Sequence, residues 1–139
     1  MKNLVYMDVT GECGIGAGIV LGGHLYEDQN CLAGEVGDMV IRTEADAWAD
    51  TRNQGALERE AGLGTVFREA KKLLERGLAP ELQKLLEKQG SDNLSLSLLE
   101  KAAMEFDLDI YALLNKTTKA WAAAMVNISA LLAPDRIIL

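Results

Sequence analysis

The chain has 139 residues, which suits one domain or one lobe of a larger protein and lets folding bury about two-thirds of the extended chain's surface. Against 21 acidic residues stand 14 basic ones, a formal net charge of −7 with the charges scattered, which argues against a nucleic-acid-binding surface on this piece because phosphate contacts need a basic patch. No signal peptide and no apolar run of membrane-spanning length is present, so the expectation is a cytoplasmic protein without a membrane partner, its two cysteines, Cys13 and Cys31, being reduced thiols.

Residues 4–7, 16–21, 24–26 and 39–41 read as short strands, three or four in antiparallel succession. Gly22 and Gly23 supply the positive φ that a two-residue hairpin turn needs. The stretch GECGIGAGIVLGG, residues 11–23, invites a phosphate-binding reading. A dinucleotide fingerprint, however, requires G-x-G-x-x-G opening a helix, whereas Gly14, Gly16 and Gly18 alternate and lead into Ile19 and Val20. No Lys-Ser or Lys-Thr follows, so a P-loop is also excluded, and what remains is a glycine-rich strand that starts a hairpin.

Near residue 56 the period changes from strand-like to helical. Val66, Phe67, Ala70, Leu73 and Leu74 share one helix face, with Gly77 and Pro80 punctuating its end. Leu82, Leu85 and Leu86 mark a second helix stopped by Gly90. Ser95 is the expected N-cap of a third, with Leu98, Leu99, Ala102, Ala103 and Phe106 facing inward. A fourth and longest helix carries a stripe from Ile110 through Leu114, Thr117, Trp121, Met125 and Ile128 to Leu132, ending at Ala133 and Pro134. Residues 135–139 read as a final strand. The expected fold class is therefore α/β: antiparallel strands, four helices and a closing strand.

Three blocks carry a family resemblance. NLVYMDVTGECGIGAGIVLGGHLYEDQNCLAGEVGDMVI resembles the segment of ROK proteins (repressors, open reading frames and sugar kinases) in which a glycine strand and hairpin lead to G-E-(I/V)-G-H-M. GALEREAG resembles the end of that family's cysteine-rich zinc segment, G-C-L-E followed by a short helix, and NISALLAPDRIIL resembles its helix ending N-L-x-x-L-L-N-P with the strand after it. The resemblance implies a partial C-terminal lobe of an actin-like ATPase, ribonuclease-H-like fold across 1–139, with a glycine-rich strand and hairpin region over 1–41 and a helical region with terminal strand over 57–139. In similar proteins the D-x-G-x-T phosphate loop and the Asn-Asp pair bearing the general base lie upstream, as does the winged helix-turn-helix of repressor members. No catalytic residue is therefore assigned to this chain.

By the same resemblance, Glu35 and Glu58 match positions that contact sugar hydroxyls, for which ionised carboxylates suit because each accepts short, directional hydrogen bonds. The plain alternative is that both are surface acids. Asp38 stands where the family has a His that touches the sugar and ligates zinc. Gly14 and Gly16 match a loop that approaches phosphates, yet Glu12 and Cys13 replace its Gly-Thr, and a carboxylate there repels phosphate. Regulators of the family read G-E at this point, which favours a sugar-sensing repressor over a kinase. The glycines equally allow close strand packing and a bulge. Ala49, Thr51 and Ala56, with Asp38, occupy the positions of the four zinc ligands, so the resemblance implies no metal and no cofactor. The implied function is the effector-sensing and dimerisation portion of a ROK regulator of a sugar or sugar derivative, the alternative being a catalytically incomplete sugar kinase fragment. Among other residues, His24 reads as an exposed turn neighbour, Trp48 as a cover for apolar surface, Trp121 as core or interface, and Asn127 as an amide bonding a neighbouring backbone group.

Overall fold

A computed structural model describes residues 2–10, 14–30, 32–42 and 55–139 of the chain. Glu12, Cys13, Cys31, Trp48, Ala49 and Thr51 lie outside the described residues. Two compact units are present, one formed by Met1–Leu63 with Ala120–Leu139 and the other by Gly64–Lys119.

The first unit is built on a four-stranded sheet of order β3-β2-β1-β4, with β1 Leu4–Asp8, β2 Gly16–Leu21, β3 His24–Leu25 and β4 Arg136–Ile138. β1 pairs antiparallel with β2, Val5 opposite Ile19 and Met7 opposite Ala17. The hairpin closes on Gly22 and Gly23 at φ 61° and 88°, the primed geometry that matches strand twist and that two glycines adopt without steric cost. β4 joins the other edge of β1 in parallel, Val5 opposite Ile137, so the expected antiparallel succession is completed by a parallel strand. Period-2 alternation puts Val5 and Met7 on the buried face of β1 and leaves Tyr6 half exposed on the other. On the buried face they meet Leu57 and Ala61 of α1 (Ala56–Ala61) and Trp121, Ala124 and Ile128 of α5 (Leu108–Leu132).

The expected strand at residues 39–41 is absent. A 3₁₀ turn, Val36–Asp38, precedes it, and Met39 and Ile41 pack their side chains on the core while β4 takes the free edge of β1. Tyr26 lies just past β3, although its N–H still donates to Ile19 O at 2.7 Å. The chain's start ties this sheet together: Asp135 accepts from Lys2 N (2.7 Å) and Asn3 N (3.0 Å), while Asn3 Oδ1 accepts from Gly22 N at 2.8 Å.

The second unit is helical. It holds α2 (Leu63–Glu75) from Gly64 onward, α3 (Pro80–Gln89), α4 (Leu96–Met104) and α5 as far as Lys119. With the four expected helices present as α2 to α5, α1 corresponds to the short helix that the resemblance places after L-E, but it starts earlier, at Ala56, and contains Leu57 and Glu58. Leu82, Leu85, Leu86, Leu99 and Ile110 form the core around Val66 and Ala70. Ser95 caps α4 through Oγ, which accepts from Leu98 N at 3.2 Å. Ala79 cannot cap α3 with a side chain, and the buried Asp107 does so from a distance, its Oδ2 accepting from Leu82 N at 3.2 Å. Phe106, expected inside, is 85% exposed. The cause is the helix ending: Phe106 N donates to Ala103 O (3.3 Å) and Asp107 N to Ala102 O (3.0 Å), a Schellman closure that puts Phe106 at φ 71° and turns its side chain out.

A glycine holds that left-handed conformation without the steric cost that an L side chain incurs. Phe106→Gly is expected to stabilise the chain by roughly 0.5–1 kcal/mol in urea denaturation, and lower stability would refute the strain. The backbone N–H groups of Asn3 and then of Lys2 hold the Asp135 carboxyl below the usual carboxylate range. A folded-state pKa below the unfolded value of about 3.9 means that this stabilisation is present above that value and is lost as pH falls through the folded one. Asp135→Asn should therefore flatten the decline in melting temperature below about pH 4 relative to the parent chain, and parallel curves would dismiss the clamp.

Candidate functional site

The candidate site residues Gly14, Gly16, Glu35, Asp38 and Glu58 all lie in the first unit, and the glycines explain how some of them meet. Asp28 opens the loop after β3: Oδ1 accepts from Leu32 N and Ala33 N (both 2.9 Å) and Oδ2 from Asn30 N (3.0 Å). These bonds, the one from Ala33 foremost, hold its carboxyl below the usual range. The loop then runs back along the entry to β2, where Ala17 N donates to Gly34 O (2.7 Å) and Gly37 N to Ile15 O (2.9 Å). A Cβ at Gly34 would collide with Ala17 O, and one at Gly37 would lie 2.7 Å from Ile15 O, so both contacts require glycine. Gly55, the N-cap of α1, is pressed against Gly37 O in the same way.

Glu58 projects from the first turn of α1 onto this glycine seam. A Cβ at Gly14 would lie 2.5 Å from Glu58 Oε2, and one at Gly37 would lie 3.5 Å from the same oxygen. Asp38 ends the 3₁₀ turn with its Oδ1 2.5 Å from where a Cβ on Gly55 would stand. Gly14, Asp38 and Glu58 are thus gathered around Gly37 and Gly55. Glu35 stands exposed at the start of the 3₁₀ turn. Gly16 opens β2 opposite Asp8, and a Cβ there would meet nothing within 4 Å, so close packing does not account for it.

Two residues whose part in this site the sequence did not reveal hold α1 in place. Trp121 Nε1 donates to Ala61 O at 3.0 Å, and the ring is only 7% exposed, which assigns Trp121 to the core. Arg42 Nη2 reaches Glu60 Oε2 at 2.6 Å. A polar tip on a helical stripe was the available signal for Trp121, and its partner 60 residues away was not legible. Asn127 Nδ2 points to Met39 Sδ at 3.8 Å rather than to a backbone group. His24 is exposed in β3, as expected beside the turn. Among the described residues, no group of three or more His, Cys, Asp or Glu could hold a metal ion.

The model of the ROK family matches residues 1–139. The chain belongs to the ROK family. No curated protein sequence matches significantly. Among solved structures, the chain is similar to a ROK glucokinase from Streptomyces griseus in complex with glucose and AMPPNP (TM-score 0.72, 22% identity, 98% of this chain and 43% of that one). It is also similar to a ROK transcriptional regulator, a homologue of the E. coli MLC protein (0.68, 21%, 99% and 32%). A third is a ROK protein from Streptococcus pneumoniae in complex with sucrose (0.66, 18%, 99% and 39%). The chain therefore spans well under half the length of these ROK proteins, and its fold is an α/β part of their actin-like architecture.

Because Gly14 is at φ 111° with Glu58 against it, Gly14→Ala is expected to destabilise the ROK chain by roughly 1–3 kcal/mol, whereas Gly16→Ala should change stability by less than about 0.5 kcal/mol. Equal melting temperatures for the two variants would show that Glu58 does not need the space.

Proposed function

We propose that this chain is the effector-sensing and dimerisation portion of a ROK transcriptional regulator that responds to a sugar or sugar derivative. The observation that carries the reading is the seat of Glu58 against Gly14. A backbone loop that meets phosphate serves as a donor cradle, and a carboxylate at contact distance repels an anion there. The same carboxylate accepts hydrogen bonds from neighbouring sugar hydroxyls, with Asp38 beyond Gly55 as a second acceptor and Glu35 at the far end of the turn as a third. The acids carry no step of phosphoryl transfer, which depends on positioning and neutralising phosphate charge.

The described helices support the rest of the reading. None is long and apolar enough to cross a membrane; the reading takes a cytoplasmic location and no membrane partner. In the regulator reading, nucleic acid is met outside this chain, and self-association runs through the helical residues of the second unit, since Trp121 is committed to the core of the first. The second reading, a kinase fragment, draws on the likeness to the glucokinase structure with AMPPNP.

Calorimetric titration with glucose, sucrose and N-acetylated hexosamines is expected to find one sugar class whose binding falls about ten-fold or more in Glu58→Gln, each lost charged hydrogen bond costing about 1.5–3 kcal/mol. Unchanged sugar affinity in that variant would sink the assignment of Glu58. ATP-dependent phosphorylation of any hexose above a protein-free control would overturn the regulator reading.

A further inference from the structure

All of the chain's net charge belongs to the first unit. Met1–Leu63 with Ala120–Leu139 carries 12 acidic and 5 basic residues, a formal charge of −7, whereas Gly64–Lys119 carries nine of each sign and is neutral. Burial of apolar surface does not call for such an imbalance, and repulsion among like charges opposes it.

Two of these acids are held side by side. Asp38 N donates to Glu35 O at 3.2 Å, which closes one 3₁₀ turn, and at three residues per turn the side chains of Glu35 and Asp38 leave the same edge. The residues between them are anchored: Val36 is buried in the core, and Gly37 N donates to Ile15 O at 2.9 Å. The turn is therefore not free to swing the two carboxylates apart. Both are exposed, and no described residue pairs with either carboxylate. The described cations of the unit are placed otherwise. Lys2 precedes β1, Arg136 lies in β4 opposite Leu4, Arg42 is bonded to Glu60, and Arg59 follows Glu58 at about 100° round α1.

Neighbouring carboxylates without a counter-charge raise each other's energy, and a cation set against both relieves it. A bare metal ion does not suit the edge, because the described residues assemble no group of three or more His, Cys, Asp or Glu that could hold one. An ammonium carried on a ligand does suit it, with three donors to share between two carboxylates and no coordination shell to complete. We propose that the sugar site selects a cationic amino sugar, its ammonium held by the Glu35–Asp38 edge and its hydroxyls by Glu58 across Gly37, with Asp38 as the specificity-determining residue. This names the substrate class of the proposed sugar site and rests on that reading. A neutral sugar gains no charge pairing at the edge, and a sugar phosphate is repelled by it.

The test is calorimetric titration of the 139-residue chain with glucosamine, N-acetylglucosamine and glucose, which share one ring, with circular dichroism confirming that each variant is folded. At about pH 6 the ring amine carries its proton, since amines of the α-amino type titrate at about 7.7–8.0. Expected is an affinity for glucosamine about ten-fold or more above that for N-acetylglucosamine, a ratio that shrinks as salt rises. Asp38→Asn and Glu35→Gln should each bring the ratio toward one, while Asp38→Glu keeps it. Equal loss of affinity for all three sugars, with the ratio intact, would make the two acids structural and overturn the assignment. Glucose or N-acetylglucosamine binding the parent chain as tightly as glucosamine overturns the amino-sugar inference and leaves the sugar-site reading standing. Methylammonium competing as well as glucosamine shows a bare ammonium site and overturns the sugar class. Binding of none of the three sugars overturns both statements.

Discussion

The approach of one backbone to another at the entry of β2 is the constraint on which the first unit depends. Gly34 and Gly37 bring the loop after β3 within hydrogen-bonding distance of Ala17 and Ile15, and Gly55 lets α1 start directly against Gly37. Any side chain on these glycines would push the loop, the 3₁₀ turn and α1 apart. The glycines in this region therefore have distinct reasons: Gly22 and Gly23 turn the hairpin, Gly34, Gly37 and Gly55 permit backbone contact, and Gly14 makes room for a carboxylate. Gly16 has none of these, and the space where its Cβ would stand is open.

Around that seam the polar groups act mainly as acceptors. Asp28 and Asp135 bind backbone N–H groups and so fix the loop after β3 and the start of β4 at separate ends of the sheet. Glu58 and Asp38 lie over glycine backbone. Trp121 and Arg42 set the precision of that arrangement by fixing α1 at both its carbonyl end and its outer face.

The second unit is stabilised differently, by apolar helix faces and by caps supplied from elsewhere in the sequence. Asp107 serves α3 with its side chain and α5 with its carbonyl, which accepts from Tyr111 N at 2.9 Å, so one buried residue joins two helix starts. Its neighbour Phe106 carries the conformational cost of the closure that puts Asp107 there.

Local periodicity and turn chemistry determined much of this protein by themselves. The hairpin at Gly22 and Gly23, the cap at Ser95, the stop at Gly90 and the apolar stripe of α5 each follow from interactions within a few residues, which a sequence displays directly. Three familiar blocks also sufficed to point to the ROK family. Tertiary structure alone decided the parallel pairing of β4 with β1, the loss of a strand at residues 39–41 in favour of side-chain packing, and the outward turn of Phe106. It also decided that Trp121 bonds Ala61 and that Glu58 rests on Gly14. Each of these joins residues far apart in the chain or depends on which of two competing contacts a backbone group makes, and neither spacing nor composition records that outcome.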